Sequence, residues 1–229
     1  MLHTMFKKCL LTAIFGVSLT SGTVLHAQDD LIKKISGNKS DSVGFKFTQI
    51  INLERTPIEN QGSSGTCWSY ATNSFLESEM IKAGKNPIPL AKIFTARYSY
   101  VDKADNYVRM NGAVSYGDGG EPHDVINMYS KYGILPMEKY SGLINGATKN
   151  NFGKMQHSLK NMLDSLIKLP SGKINLAWKK NFSDTLDAYL GAVPATFNFE
   201  GKTYTPQSFA KERVGLSASD YVEFISQNN

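Results

Sequence analysis

The stretch NQGSSGTCWSYAT, residues 60–72, decides how this chain of 229 residues is interpreted. A glycine-rich turn stands before Cys67, and apolar residues recur at helical spacing after it as far as Met80. Gly84 is a natural C-terminal stop for that helix. We assign its apolar positions to the buried face: Trp68, Ala71, Phe75, Leu76 and Met80. Cys67 is therefore expected at the N-terminus of a helix.

A cysteine in this position suits nucleophilic chemistry. A thiol attacks as the thiolate, and a helix N-terminus stabilises a thiolate through unpaired N–H groups and the positive end of the helix dipole. Acyl transfer also needs hydrogen-bond donors aimed at the developing oxyanion. The side-chain amide of Gln61 and the backbone N–H of Cys67 could supply them, with Gly62 and Gly65 allowing a tight loop between. The segment therefore predicts a nucleophile, Cys67, and an oxyanion donor, Gln61.

The rest of the chain predicts a mainly helical layer. Further helices are expected over residues 90–98, 121–132, 155–167, 183–191 and 205–215, from apolar periodicity, proline entries and glycine stops. Strand signals are sparse, and the best is residues 195–199.

Two motifs in order carry a resemblance to a known family. TPIENQGxxGxCW, residues 56–68, resembles the nucleophile segment of papain-like cysteine peptidases. GGEP at 119–122, followed by a predicted helix and KYGI at 131–134, resembles the family's glycine pair and the helix behind it. The resemblance runs from residue 56 to the C-terminus and is weak between residues 141 and 190. It implies the α+β fold of papain-like peptidases. The sequence is expected to encode mainly the helical left domain of that fold, with the β-rich second domain largely missing.

Departures from the family pattern narrow the branch. Secreted endopeptidases of the family usually carry a cysteine where Ser64 stands, paired in a disulfide near the glycine pair, and both partners are missing here. This favours the bleomycin hydrolase-like aminopeptidases of the exported bacterial type. YTPQSF at 204–209 and SDYV at 219–222 also resemble stretches of that branch.

The resemblance implies roles for particular residues. Cys67 would be acylated during peptide hydrolysis, and Gln61 would stabilise the oxyanion. Substrate would be held by the backbone of Gly119 and Gly120 beside Trp68, while Trp68 and Phe75 are also assigned to the core. No metal or cofactor is expected. Two acidic residues near the glycine pair either steer a substrate amine or belong to a solvated loop, and these are Asp118 and Glu121.

The general base is the missing part. A thiolate–imidazolium pair needs a histidine oriented by a third group, which is asparagine in this family. Of the four histidines, His3 and His26 precede the folded region, His123 opens a predicted helix and His157 lies on the polar face of another. Neither of the last two has the family's surroundings.

Three explanations for the missing base stay open. We prefer an incomplete or truncated sequence over a half-enzyme completed by another polypeptide and over a degenerate protein that keeps only the cleft wall. The function expected is a cysteine-type peptidase, with catalysis by this chain alone uncertain. The alternative is a non-catalytic peptide-binding pseudo-peptidase.

The N-terminus predicts export. Lys7 and Lys8 precede an apolar run at 9–19 and small residues up to Ala27, which is typical of a signal peptide over 1–27, with a retained membrane anchor as the alternative. Residues 28–47 are interpreted as a linker or propeptide-like arm, and 48–229 as the folded part. We expect a periplasmic or secreted protein.

Composition narrows the partners. The net charge of +5 is carried by scattered lysines without a basic patch, so we expect no nucleic acid. We expect a peptide substrate and no membrane contact after signal cleavage. A homo-oligomer stays open, because the family includes large ring-shaped assemblies.

Overall fold

The fold is organised around one long central helix. The computed structural model describes residues 48, 50–51, 53–170 and 172–224. Its main helices are α1 (Cys67–Lys82), α2 (Lys92–Arg109), α3 (Pro122–Tyr132), α4 (Gly153–Ile167) and α5 (Ala177–Leu190). Helix α2 contacts each of the other four. The first half of α2 is buried almost all round, which is the pattern of a helix that lies inside a bundle.

Helix α1 begins at Cys67, as predicted from the local signals. It ends at Lys82, and Gly84 follows with a φ of +73°, a left-handed conformation that glycine adopts without strain. Trp68, Leu76 and Met80 are buried in the core, also as predicted.

The buried face of α1 is rotated from the predicted one. Phe75 is 48% exposed and Ala71 is also exposed, so their assignment to the core was wrong. The positions that face α2 are instead polar, with Ser69, Asn73 and Glu77 fully buried. These side chains find hydrogen-bond partners inside the protein; the hydroxyl of Ser69, for example, donates to a backbone carbonyl at the start of α2 at 2.7 Å. Bonded polar groups are tolerated in a core, so apolar spacing alone indicated the wrong face.

Two helices are longer than predicted. Helix α2 continues from residue 98 to Arg109, because the later positions Tyr100, Ala104 and Tyr107 stay buried while charged residues between them face outward. Helix α5 starts at Ala177 rather than at residue 183. Its buried stripe explains the earlier start: Trp178, Phe182, Leu186 and Leu190.

Helices α3 and α4 agree with the predictions. Glu121 precedes α3, and its backbone N–H donates to the carboxylate of Asp124 at 3.0 Å. Gly133, with a φ of +76°, ends α3. Helix α4 buries the predicted stripe through Met155, Leu159 and Leu163.

A small hairpin is the only sheet within the described residues. Strand β1 (Phe197–Phe199) covers the end of the predicted strand. It pairs antiparallel with β2 (Lys202–Tyr204), a strand that was not predicted from the sequence. Glu200 and Gly201 form the turn, with φ values of 47° and 79°. The chain continues into α6 (Pro206–Phe209), a π-helical turn (Ala210–Val214) and the left-handed Gly215. This confirms the helix predicted over 205–215.

Short 3-10 turns at Met137–Lys139 and Ala218–Asp220 complete the described elements. In the part of the chain that the structure describes, no helix is both long and apolar enough to cross a membrane. The predicted signal peptide at 1–27 and the arm at 28–47 lie outside the described residues.

Candidate active site

Cys67 is exposed at the first position of α1 and forms no disulfide. Its position at the helix N-terminus follows from the sequence, but its surroundings come from loops remote in the chain. Two segments flank the loop that leads to it: residues 117–120, which carry the glycine pair, and residues 150–152, just before α4.

The loop before Cys67 is closed by its own side chains. The amide of Gln61 donates from Nε2 to the carbonyl of Ser64 at 2.9 Å, and the hydroxyl of Ser64 donates back to the carbonyl of Gln61 at 2.8 Å. Gly62 has a φ of +65°, and its N–H donates to Oδ1 of Asn60 at 2.8 Å. An amide nitrogen carries two hydrogens, so Gln61 keeps a second N–H. Its role as oxyanion donor stays a prediction.

Asn150 supports this loop from one side. Its carbonyl accepts the N–H of Ser63 at 2.8 Å, and its side-chain amide donates to the hydroxyl of Tyr70 at 2.9 Å. A Cβ on Gly62 would lie 2.5 Å from the carbonyl oxygen of Asn150, so only glycine permits this approach. Asn150 was not predictable from the sequence, because no local motif marks a residue whose role depends on a loop so far along the chain.

Asp118 supports the loop from the other side. Its carboxylate accepts the N–H of Gly65 at 2.6 Å, and its carbonyl accepts the indole N–H of Trp68 at 2.9 Å. A Cβ on Gly120 would meet the Trp68 ring at 2.6 Å. The two predicted motifs therefore lie against each other, with the glycine pair beside the first turn of α1.

The predicted substrate edge at Gly119 and Gly120 is partly open. Gly119 is exposed, and its carbonyl accepts a hydrogen bond from the ammonium of Lys103. Among the described residues, no hydrogen bond engages the N–H or the carbonyl of Gly120. An unpaired backbone edge is the requirement for binding an extended peptide.

Three further residues take defined places. Trp68 is only 5% exposed, so the structure gives it the packing role predicted for it, and substrate contact by its ring stays a prediction. Asp118 is half-buried, and its carboxylate accepts the N–H of Gly65 in the nucleophile loop, so a role in steering a substrate amine stays a prediction. Glu121 is exposed at the start of α3.

The two histidines of the described region are engaged away from Cys67. Nδ1 of His123 lies 2.8 Å from a carboxylate oxygen of Glu223, and Nε2 of His157 lies 3.0 Å from the amide nitrogen of Asn161. Within the described residues, no hydrogen bond joins either ring to the Cys67 thiol. In the described part of the chain, Asp118 thus joins the loop before Cys67 to the glycine pair, and neither histidine is bonded to the thiol.

A buried charge network anchors the segment that leads to Gln61. The ammonium of Lys92, at the start of α2, binds the carboxylates of Glu77 and Glu59. Glu77 also accepts the hydroxyl of Thr56 and the N–H of Leu90, the latter at 2.7 Å. This network ties residues 56–59 to α1 and α2 immediately before the nucleophile loop.

A groove of ≈ 540 Å³ lies between the middle of α1, one face of α3 and residues 218–223. Phe75 and Pro122 line it, together with His123, Ile126 and Tyr221. No group of three or more metal-ligating side chains occurs in the described part of the chain.

Comparison with known proteins gives distant relatives of one kind. No family model matches the chain. Aminopeptidase C from Lactobacillus delbrueckii subsp. lactis is 23% identical over 236 residues, covering 87% of this chain and 53% of that protein. Aminopeptidase C from Streptococcus thermophilus is 23% identical over 232 residues, with coverages of 86% and 52%. The mitochondrial cysteine proteinase 1 of Saccharomyces cerevisiae is 26% identical over 135 residues, with coverages of 52% and 28%.

A solved structure supports the fold. PepW from Lactobacillus rhamnosis superposes with a TM-score of 0.54 at 22% identity, over 75% of this chain and 46% of that one. The chain spans about half the length of the curated relatives named above. Its fold is the papain-like α+β fold, represented mainly by helices, and its homologues are cysteine peptidases of the aminopeptidase C and bleomycin hydrolase-like kind at low identity.

Proposed function

We propose that this chain carries the nucleophile half of a cysteine aminopeptidase site. The observation that carries the proposal is an exposed thiol at the N-terminus of α1, flanked by the Gln61 loop and by the unpaired backbone of Gly120. In the proposed reaction the Cys67 sulfur attacks the substrate carbonyl, and the N–H of Cys67 and the amide of Gln61 receive the oxyanion. The amine leaves, and water then hydrolyses the thioester.

The base for this reaction is proposed to come from outside the described residues, because His123 and His157 are bonded elsewhere. The acylation step needs a histidine to take the thiol proton and return it to the leaving amine. We also propose that the substrate is a peptide and that the protein is exported, the latter from the signal peptide predicted over residues 1–27. A homo-oligomer is part of the same proposal.

The test uses the full chain and a pair of electrophiles. A chloromethyl ketone attached to a dipeptide with a free N-terminus is compared with chloroacetamide, and each rate is normalised to the rate with glutathione. We expect the dipeptide reagent to label Cys67 at least about tenfold faster than chloroacetamide does after normalisation, since bound peptide raises the effective concentration of the electrophile. Intact mass spectrometry counts the adducts, and peptide mapping separates the adduct on Cys67 from any on Cys9. Cys67→Ser is the control that abolishes the Cys67 adduct.

Equal normalised rates for the two reagents would contradict a peptidase site. The aminopeptidase assignment has its own comparison, between a free-amine aminoacyl amide and its N-acetylated form. Once a histidine base is supplied, we expect the enzyme to cleave the substrate with the free amine and to leave the N-acetylated substrate intact. Faster cleavage of the acetylated form would refute the aminopeptidase assignment.

A second candidate, peptide binding without catalysis, is favoured by the absence of a histidine bonded to Cys67 within the described residues. It predicts that a fluorescent peptide binds the wild-type chain and Cys67→Ser equally, while neither hydrolyses it. Hydrolysis by the wild-type chain that is lost in Cys67→Ser would exclude this candidate.

A further inference from the structure

Asp118 binds the chain on both sides of Cys67. Its carboxylate accepts the N–H of Gly65 at 2.6 Å, two residues before the thiol, and its carbonyl accepts the indole N–H of Trp68 at 2.9 Å, one residue after it. Asp118 also directly precedes Gly119 in the chain. One residue therefore connects the nucleophile to the predicted substrate edge.

The contact with Gly65 is close, and a side chain at this position would have to displace the Asp118 carboxylate. A Cβ at this position would lie 2.4 Å from Oδ1 and 2.6 Å from Oδ2 of Asp118. Both residues are half-buried, so water competes less for the bond than at an open surface. Hydrogen bonds from a backbone N–H to a carboxylate are short and stronger than neutral ones, which matches the 2.6 Å distance.

A second connection holds the other side of the glycine pair. The ammonium of Lys103 binds the carbonyl of Gly119 and lies 5.3 Å from the centre of the Trp68 ring. Lys103 makes no bond to the loop before Cys67 among the described residues. Of the residues that the structure describes, only Asp118 joins that loop, through Gly65, to the glycine pair.

We propose that Asp118 is a positioning residue that sets the distance between the Cys67 thiol and the peptide-binding backbone of Gly119 and Gly120. The inference rests on the proposed function, because it assigns a role within that site. A misplacement of about 1 Å between a nucleophile and its substrate lowers the rate about 100-fold. Loosening one bond between the two loops therefore slows attack on bound peptide more than attack on a small free electrophile.

The test compares Asp118→Ala with Asp118→Asn, whose side-chain oxygen still accepts the Gly65 N–H. Asp184→Ala is the matched control, since Asp184 is an exposed aspartate on α5 paired with Lys180. The first readout is the labelling rate of Cys67 by the dipeptide chloromethyl ketone divided by the rate with chloroacetamide. The second readout is amide hydrogen exchange at Gly65 in the full chain.

We expect Asp118→Ala to lower the rate ratio at least about tenfold and to speed exchange at Gly65 by about tenfold, in line with loss of one hydrogen bond to a charged group. Asp118→Asn keeps both readouts within about threefold of wild type, and Asp184→Ala leaves both unchanged. If Asp118→Ala does not fold, Trp68→Phe removes the second bond alone, and the same fall in the rate ratio is expected.

Two results would overturn the inference. One is an unchanged rate ratio in a folded Asp118→Ala chain. The other is an Asp118→Asn chain as impaired as Asp118→Ala, which would assign the effect to charge rather than to the hydrogen bond. Failure of the proposed function is distinguishable, because the wild-type chain itself would then show no preference for the peptide reagent, while exchange at Gly65 would still report the contact.

Discussion

Lys92 and Glu77 form an ion pair inside the core, with side chains that are 4% and 0% exposed. Removing one partner of a buried pair leaves an uncompensated charge. We expect Lys92→Met to lower the free energy of unfolding by about 3–5 kcal/mol, measured by urea denaturation. The exposed pair Lys180–Asp184 provides the control, and Lys180→Met is expected to cost less than about 1 kcal/mol. Similar losses for the two variants would show that Lys92 is not buried against Glu77.

Gly65 and Gly119 form a matched pair for testing the loop contacts. A Cβ on Gly65 would overlap the Asp118 carboxylate, whereas a Cβ on Gly119 meets nothing within 4 Å. We expect Gly65→Ala to destabilise the protein by about 1–3 kcal/mol, as overpacking does, and Gly119→Ala to change stability by less than about 0.5 kcal/mol. Thermal unfolding followed by circular dichroism measures both. A neutral Gly65→Ala would mean that the Asp118 carboxylate is not held against Gly65 as described.

The rotated face of α1 is tested by two neighbouring residues. Leu76 is 1% exposed and Phe75 is 48% exposed, packing edge-on against Tyr221 at 5.7 Å between ring centres. Leu76→Ala is expected to cost about 2–5 kcal/mol, while Phe75→Ala should cost less, because about half of its side chain is already exposed to water. Denaturant midpoints give the comparison. A loss for Phe75→Ala as large as that for Leu76→Ala would return Phe75 to the buried face that apolar spacing predicted.

Stability at high pH depends on buried tyrosines. Burial raises the pKa of Tyr129 to about 12 from an ordinary value of 10.0, and its hydroxyl lies 3.0 Å from the carbonyls of Ala210 and Leu216. Burial also raises the pKa values of Tyr100, Tyr116 and Tyr140. The folded chain therefore keeps protons that the unfolded chain releases above pH 10. The resulting stability is fully present below pH 10 and is lost as the pH rises through about 12.

Tyr129→Phe tests this pH dependence. We expect the free energy of unfolding of the variant to fall less steeply than that of wild type between pH 10 and about 12, because one group no longer contributes a proton difference. Below about pH 9 the free energies of unfolding of the two proteins should differ by a constant amount, because Tyr129 is protonated in both states there. Equal slopes above pH 10 would show that Tyr129 ionises as readily folded as unfolded.

Much of the helical framework was predictable from short-range signals. The start of α1 at Cys67, the stop at Gly84 and the bounds of α3 follow from apolar periodicity and glycine, which act within one or two turns of a helix. The early start of α5 and strand β2 were missed. Tryptophan and phenylalanine packing overrides the capping signal at Ser183, and a three-residue strand has little pattern to detect.

The candidate site divides in the same way. Its chemical members, Cys67, Gln61 and the glycine pair, are visible in the sequence because each motif is contiguous. The arrangement of these members is not visible in the sequence. Asp118 contacts Gly65, and Asn150 contacts Ser63, because helices α1, α3 and α4 pack against α2. A local pattern records which residues a loop contains, whereas the partner that holds the loop is chosen by packing between segments remote in the chain. The sequence therefore determined the thiol and its helix, and the tertiary structure decided what holds them in place.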